Sequence, residues 1–322
     1  MAQRRGADGR SLGRHLVIPL VLLAVFAFIA GGTYVALTQY SSSRRSGTCT
    51  ASGLGTSHRY STEQTANAAL ISAVAVDRGM PPRAASIALA TAYQESKLEN
   101  IDHGDRDSLG LFQQRPSQGW GTPEQVMDPI HATNAFYDAL EKIGDYRSMP
   151  LNDAAQTVQR SGYPEAYADH ETEGRIYASA LTGQSGANLV CDVSAPDGPA
   201  SPQPLQAELA RQFPRLTGAG TVTSSLAPAS GAAASVPDGA GATALVIDPH
   251  GDDARGWALA NWAVAQAADS SVVQVGYGGR TWERSGKENT TPGSWTTTGD
   301  AGSGGGTTTA DPTKVVVLVA GP

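Results

Sequence analysis

Charged side chains are scarce. Lys and Arg number 23 and Asp and Glu 30 among 322 residues, 16% of the chain, for a formal net charge of −7. That balance builds no basic face, so nucleic acid is set aside as a partner. Histidine is sparse too, and His58, His103, His131 and His170 stand at none of the spacings that zinc sites use. Cysteine occurs twice, at Cys49 and Cys191. Once cross-linked, that pair leaves no thiol for a Cys–His nucleophile, and no other nucleophilic triad is evident. There is one long apolar run rather than several, which argues against a transporter. No window before Cys191 alternates with period two, so the expectation there is helix throughout. Internal repeats are absent.

The apolar run that does occur is Leu16 to Leu37, without a charged side chain. As a helix it would be about 33 Å long, enough for a hydrocarbon core of about 30 Å. Arg4, Arg5, Arg10 and Arg14 precede it, and only Arg44 and Arg45 follow closely. The asymmetry places residues 1–15 in the cytoplasm, a single-pass transmembrane helix at 16–38 and everything beyond it outside the cell membrane. The rival is a cleaved signal peptide, for which Val25-Phe26-Ala27 is a poor processing site. Either way the remainder is exported. Two cysteines bracketing a domain outside the cytoplasm read as a disulfide, with two free thiols as the bland alternative.

The next segment, 39–58, is rich in Ser, Gly and Thr and reads as a tether. Ser61 or Thr62 then caps a helix with an apolar stripe from Ala66 to Val76, ended by Gly79. Pro81 and Pro82 open a second helix, and three more are expected after Asp128, after Asn152-Asp153 and from Glu165 to Leu181. Residues 59–192 are therefore expected to be a mainly α domain, with at most a minor hairpin between Asp102 and Phe112. From 193 to 242 the chain is Ala/Pro/Ser/Gly-rich and reads as a disordered linker, with one short helix near Leu205–Phe213. Residues 243–322 return to a folded pattern and are expected to form a small α+β module. Its Trp257, Trp262, Trp282 and Trp295 fit a compact core better than a sugar-stacking surface.

The chemistry gathers between Pro81 and Pro116. Ala84, Ile87, Ala88, Thr91, Ala92 and Glu95 follow at helical spacing, which sets Glu95 at the C-terminal end of a buried face. Desolvation and the negative end of the helix dipole both disfavour a carboxylate there, so its pKa rises toward the range of a general acid. The following loop reads Asp102-His103-Gly104-Asp105-Arg106-Asp107-Ser108-Leu109-Gly110-Leu111-Phe112-Gln113-Gln114. Asp105, Asp107 and Gly110 match three positions of an EF-hand loop, but Leu109 and Pro116 break it, and no metal is assigned.

Glu95-Ser96, Gly104-Asp105-Arg106 and Gly110-Leu111-Phe112-Gln113 together resemble the active-site signature of goose-type lysozymes and lytic transglycosylases. The likeness extends over residues 58 to 185 and, in its closest form, is to actinobacterial membrane-anchored proteins with a lysozyme-like domain. It implies a lysozyme-like helical fold and cleavage of the MurNAc–GlcNAc bond of peptidoglycan glycan strands without a cofactor. Glu95 would be the general acid, and Asp105 would help position water for an inverting attack. Transglycosylases dispense with a second carboxylate because the sugar's own 6-hydroxyl attacks. Gly110, Gln113 and Gln114 would line the saccharide site, with Ser96 beside them able to orient a neighbouring carboxyl or backbone group. The family's later Ala-Tyr-Asn-x-Gly motif is altered to Val158-Gln159-Arg160-Ser161-Gly162, and Tyr163 or Tyr167 stands in reach as a substitute. That departure keeps a second reading open, a catalytically degenerate domain that binds cell wall or scaffolds a partner.

Overall fold

A computed structural model describes residues 47–163, 165–196, 198–228, 243–284, 293–297 and 311–320. Strands β1 (Gly47–Gly53) and β2 (Thr56–Ser61) form an antiparallel hairpin. Its two turn residues, Leu54 and Gly55, both take positive φ (52° and 78°), as a two-residue turn matched to strand twist requires. Ser61 ends the hairpin and caps α1 (Thr62–Asp77), its hydroxyl taking the Gln64 N–H while the Gln64 side chain returns the bond.

Helices α2 (Pro82–Ser96), α3 (Pro123–Met127), α4 (Pro129–Glu141), α5 (Leu151–Gln159) and α6 (Glu171–Leu181) follow. Every residue of α2 from Ala84 to Ala92 is buried, so it is the axis around which α1, α4, α5 and α6 pack. Its small side chains make that approach feasible. Gly174 on α6 lies so close that an added Cβ would sit 2.9 Å from the Ser86 carbonyl oxygen. Phe112 and Phe136 stack at 4.7 Å beside it and seal the core beneath the loop after α2.

Strand β3 (Leu189–Val193) returns to pair with β1, completing a three-stranded sheet of order β2-β1-β3. Cys49 and Cys191 face each other across that pairing and are joined by a disulfide. Next come α7 (Gln203–Gln212), α8 (Pro214–Gly218), β4 (Thr223–Pro228), β5 (Thr243–Asp248), α9 (Asp253–Ala265) and α10 (Ala267–Ser270). Strands β6 (Val272–Tyr277), β7 (Arg280–Glu283), β8 (Trp295–Thr297) and β9 (Val315–Val319) complete an antiparallel six-stranded sheet of order β4-β5-β9-β6-β7-β8.

The expected mainly α class is therefore corrected: this is an α+β protein with two antiparallel sheets. The tether reading of 39–58 missed β1 and the start of β2, because their inward positions are Cys49, Ala51 and Tyr60 among Gly, Ser and Thr. Such small residues give little period-two signal, and pairing with β3 supplies what propensity lacks. The linker reading of 193–242 fails for 203–228, which forms two helices and a sheet-edge strand; 229–242 lie outside the described residues. Asp77 on α1 explains part of that order by accepting the Arg215 and Leu216 N–H groups at 2.8 and 2.9 Å, capping α8 from a distance. The transmembrane assignment at 16–38 lies outside the described residues; among those described, no helix is long and apolar enough to cross a membrane.

The described residues from 47 onward form one compact unit, so the expected small C-terminal module shares its core with the helical part. Helix α9 packs on α1, α6 and β3. Asn261 on α9 donates to the Ala180 and Gly186 carbonyls at 2.8 Å each. Trp262 donates to Gln212 and Trp295 to the Leu189 carbonyl, both at 2.8 Å. Trp257 is half-buried and meets Trp295 and Tyr277 edge-on at 5.5 and 5.2 Å. These four indoles, Trp282 included, are occupied with packing.

Candidate functional site

Helix α2 ends abruptly. Lys97 and Leu98 both take left-handed backbone (φ 58° and 61°), and their N–H groups bond the Tyr93 and Ala92 carbonyls. The last turn thus presents Glu95 sideways at the mouth of the following loop. Its carboxyl is half-buried, and one oxygen takes two donors: Oε1 accepts the Tyr167 hydroxyl at 2.7 Å and the Gln159 Nε2 at 3.1 Å.

Burial pushes the Glu95 pKa above the ordinary carboxylate range, while the Tyr167 and Gln159 donors pull it part of the way back. The phenol beside it moves up as well, chiefly through burial and then through the neighbouring carboxylate, so Tyr167 remains a donor. With Oε1 doubly occupied, a proton on Glu95 belongs on Oε2.

Gln159, the last residue of α5, bridges two parts of the site. The same Nε2 that bonds Glu95 donates to the Phe112 carbonyl at 2.8 Å, tying the Gly110–Gln113 loop to the acid. Ser96 makes a second tie, its hydroxyl reaching the Leu111 carbonyl at 2.8 Å. Tyr167 is placed by Asn152 on α5, whose Oδ1 accepts the Tyr167 N–H at 3.2 Å.

Several residues expected at the saccharide site bond the protein's own chain. Ser96 is buried, and its hydroxyl bonds only main-chain carbonyls, so it holds helix to loop. Gly110 (φ 74°) is needed because a Cβ would lie 2.6 Å from the Val126 carbonyl oxygen; the close neighbour is the protein's own chain, not a sugar. Gln114 is buried and donates to the Ala132 carbonyl at 3.1 Å. Gln113 is half-buried, with its Nε2 shared between the His103 and Gly110 carbonyls at 3.3 Å each. Gly104 covers its amide oxygen so closely that a side chain at 104 would displace it.

Asp105 also departs from its expected role. Its side chain is 90% exposed, with Arg106 4.0 Å away. The anchored carboxylate of this loop is Asp107, which accepts the Ser117 N–H at 2.8 Å, Arg115 at 2.9 Å and the Ser117 hydroxyl at 3.0 Å. Those bonds, the backbone one first, hold its carboxyl well below the usual range. It staples the loop to the 3-10 turn Pro116–Gln118. Tyr163 is 78% exposed, with its ring presented to solvent four residues before Tyr167. Leu109 and Gln114 form an isolated bridge, the only trace of the expected minor hairpin.

Among the described residues no three His, Cys, Asp or Glu side chains converge as a metal site. A cavity of about 420 Å³, lined by Pro199–Gln203, Thr243 and Val319, shares no residue with the Glu95 site and offers it nothing chemical. Sequence reasoning missed Gln159, although the altered 158–162 motif contained it, and offered Tyr167 only as an alternative to Tyr163. No protein-family model matches the chain, and no curated protein matches it.

Proposed function

We propose that the chain cleaves the MurNAc–GlcNAc glycosidic bond of peptidoglycan, with Glu95 as general acid. The observation that carries the reading is the Glu95 carboxyl itself, raised in pKa by burial and fixed through Oε1 by Tyr167 and Gln159. In this reading Oε2 protonates the leaving oxygen, and the two donors on Oε1 stabilise the carboxylate left behind.

Of the two routes, the lytic transglycosylase one is favoured. A water-mediated inversion needs a second carboxylate held in place, and Asp105 extends into solvent. When the muramyl 6-hydroxyl attacks its own anomeric carbon, its proton returns to Glu95 and the product is a 1,6-anhydro sugar. Tyr163 is assigned to the rim as a stacking face. The disulfide supports an exported chain, because such bonds persist in oxidising compartments. Placement at the cytoplasmic membrane through Leu16–Leu37 belongs to the same proposal. Muropeptide analysis after digestion with the full chain tests it. Anhydro-muropeptides from wild type and none from Glu95→Gln are expected; intact glycan with wild type, or equal release by the variant, would refute it.

A further inference from the structure

Only half of the Gln159 amide is in use. A primary amide offers two N–H donors on its nitrogen and an acceptor on its oxygen. Both hydrogens are committed, since Nε2 lies 3.1 Å from Glu95 Oε1 and 2.8 Å from the Phe112 carbonyl oxygen. The second partner also fixes which way the amide faces. A main-chain carbonyl only accepts, so the atom beside it is the nitrogen and the oxygen faces elsewhere. Among the described residues no donor meets Gln159 Oε1. Gln114 and Gln156 also have unpartnered amide oxygens, but theirs are enclosed by protein; that of Gln159 is open.

The main chain beneath this side chain is held on both sides. Val158 is buried, and Arg160 takes left-handed backbone (φ 53°) with its N–H on the Gln156 carbonyl at 2.7 Å. The Gln156 side chain in turn bonds the Ser161 carbonyl. Gln159 Oε1 is thus a fixed acceptor, two bonds from the nitrogen that touches the acid.

The reading of Glu95 as the acid that protonates a glycosidic oxygen says what lies next to that acceptor. In an amino sugar the carbon beside the anomeric one carries the 2-acetamido group. Its nitrogen bears one N–H and accepts nothing, whereas a hydroxyl turns to donate or to accept. An acceptor that cannot turn therefore suits a donor that cannot turn, and a sugar lacking that donor would leave the oxygen unpaired.

We infer that Gln159 Oε1 accepts the acetamido N–H of the sugar ring beside the scissile bond, so that one side chain aligns acid, loop and substrate and makes the site selective for 2-acetamido sugars. This rests on the glycan-cleaving reading of the Glu95 site, and it is tested by binding rather than by turnover.

The test titrates the full chain with an N-acetylglucosamine tetramer labelled with nitrogen-15 in its acetamido groups and follows the N–H signals by NMR. With wild type, one acetamido N–H should move downfield and exchange more slowly with water. Gln159→Met fills similar space without an acceptor; it should abolish that shift and weaken binding about three- to tenfold, the size of one hydrogen bond between neutral groups. Gln159→Glu keeps an acceptor oxygen at the same reach and should retain the shift. Both variants lose the donors to Glu95 and Phe112, so the difference between them reports on the acceptor alone. A tetramer whose N–H signals do not move with wild type would overturn the inference whether or not the variants fold, and so would a shift that survives in Gln159→Met. Muropeptide release by that same wild type would leave the proposed activity standing. A shifted N–H in a chain that releases no muropeptides would refute the activity and leave the contact.

Discussion

Tyr167→Phe isolates the atom on which the acid depends. The ring stays in its buried socket, and only the hydroxyl 2.7 Å from Glu95 Oε1 is lost. A hydrogen bond to a charged group is worth roughly 1.5–3 kcal/mol, equivalent to a factor of about 10 to 100 in an ionisation equilibrium. The bond favours the carboxylate, so its loss raises the Glu95 pKa further above the value that burial already imposes. Two consequences of opposite sign follow for a general acid. The plateau kcat falls by about three- to tenfold, because a weaker acid transfers its proton less readily along a Brønsted relation. The alkaline limb of the pH–rate profile moves to higher pH, because the acid keeps its proton longer. The assay is initial-rate release of muropeptides across pH, with wild type as reference. At the alkaline end the profiles should converge or cross. A fall in kcat with the limb unmoved, or moved down, would refute the claim that Tyr167 acts on the Glu95 proton.

Three other perturbations follow from the same geometry. Glu95→Gln should reduce turnover by at least about a hundredfold, as removal of a general acid does. Because the folded pKa of Glu95 is raised, its contribution to stability is full at low pH and lost as pH rises through the folded value; the variant should therefore be the more stable protein at neutral and alkaline pH in urea unfolding. Equal midpoints at all pH values would contradict the burial argument. Asp105→Asn should change kcat/KM by no more than about twofold, since its side chain is solvated; a hundredfold loss would restore a second-carboxylate mechanism. Reducing the Cys49–Cys191 bond, which joins residues 142 apart, removes up to about 5 kcal/mol of chain-entropy stabilisation. Denaturant midpoints that coincide with and without reductant would refute that entropic account.

The helical frame was legible because its signals are local. Ser61 with Gln64 three residues on is a capping box in any context, and Pro82 in the first turn of α2 needs no partner to be favourable. Glu95 was legible for a related reason, since helical spacing alone sets it at the end of a face too apolar to leave in water. The strands were not. β1 turns Cys49 and Ala51 inward, and neither is large enough to mark a buried face in the sequence. Its second neighbour is β3, more than a hundred residues away, and no window of sequence contains both. The same holds for α8, whose N-terminus is capped by Asp77 from a different helix.

The site divides along the same line. Gly110 and Gln114 are residue types that a sugar site would use, and the fold uses them for itself. One accommodates the Val126 carbonyl, and the other reaches inward to Ala132. Composition cannot distinguish these uses, because a Gly allows close approach whatever approaches. Gln159 is the converse case. Nothing about a glutamine before Arg160 marks it, and its importance comes from α5 ending beside the Phe112 carbonyl. There one amide nitrogen spans acid and loop at 3.1 and 2.8 Å. An asparagine at the same backbone position, one methylene shorter, could not span both without the helix moving. On the proposed activity, the 158–162 segment then represents a change of reach. Glu95 receives an amide from Gln159, at the second position of that segment, and a phenol from Tyr167, which lies outside it.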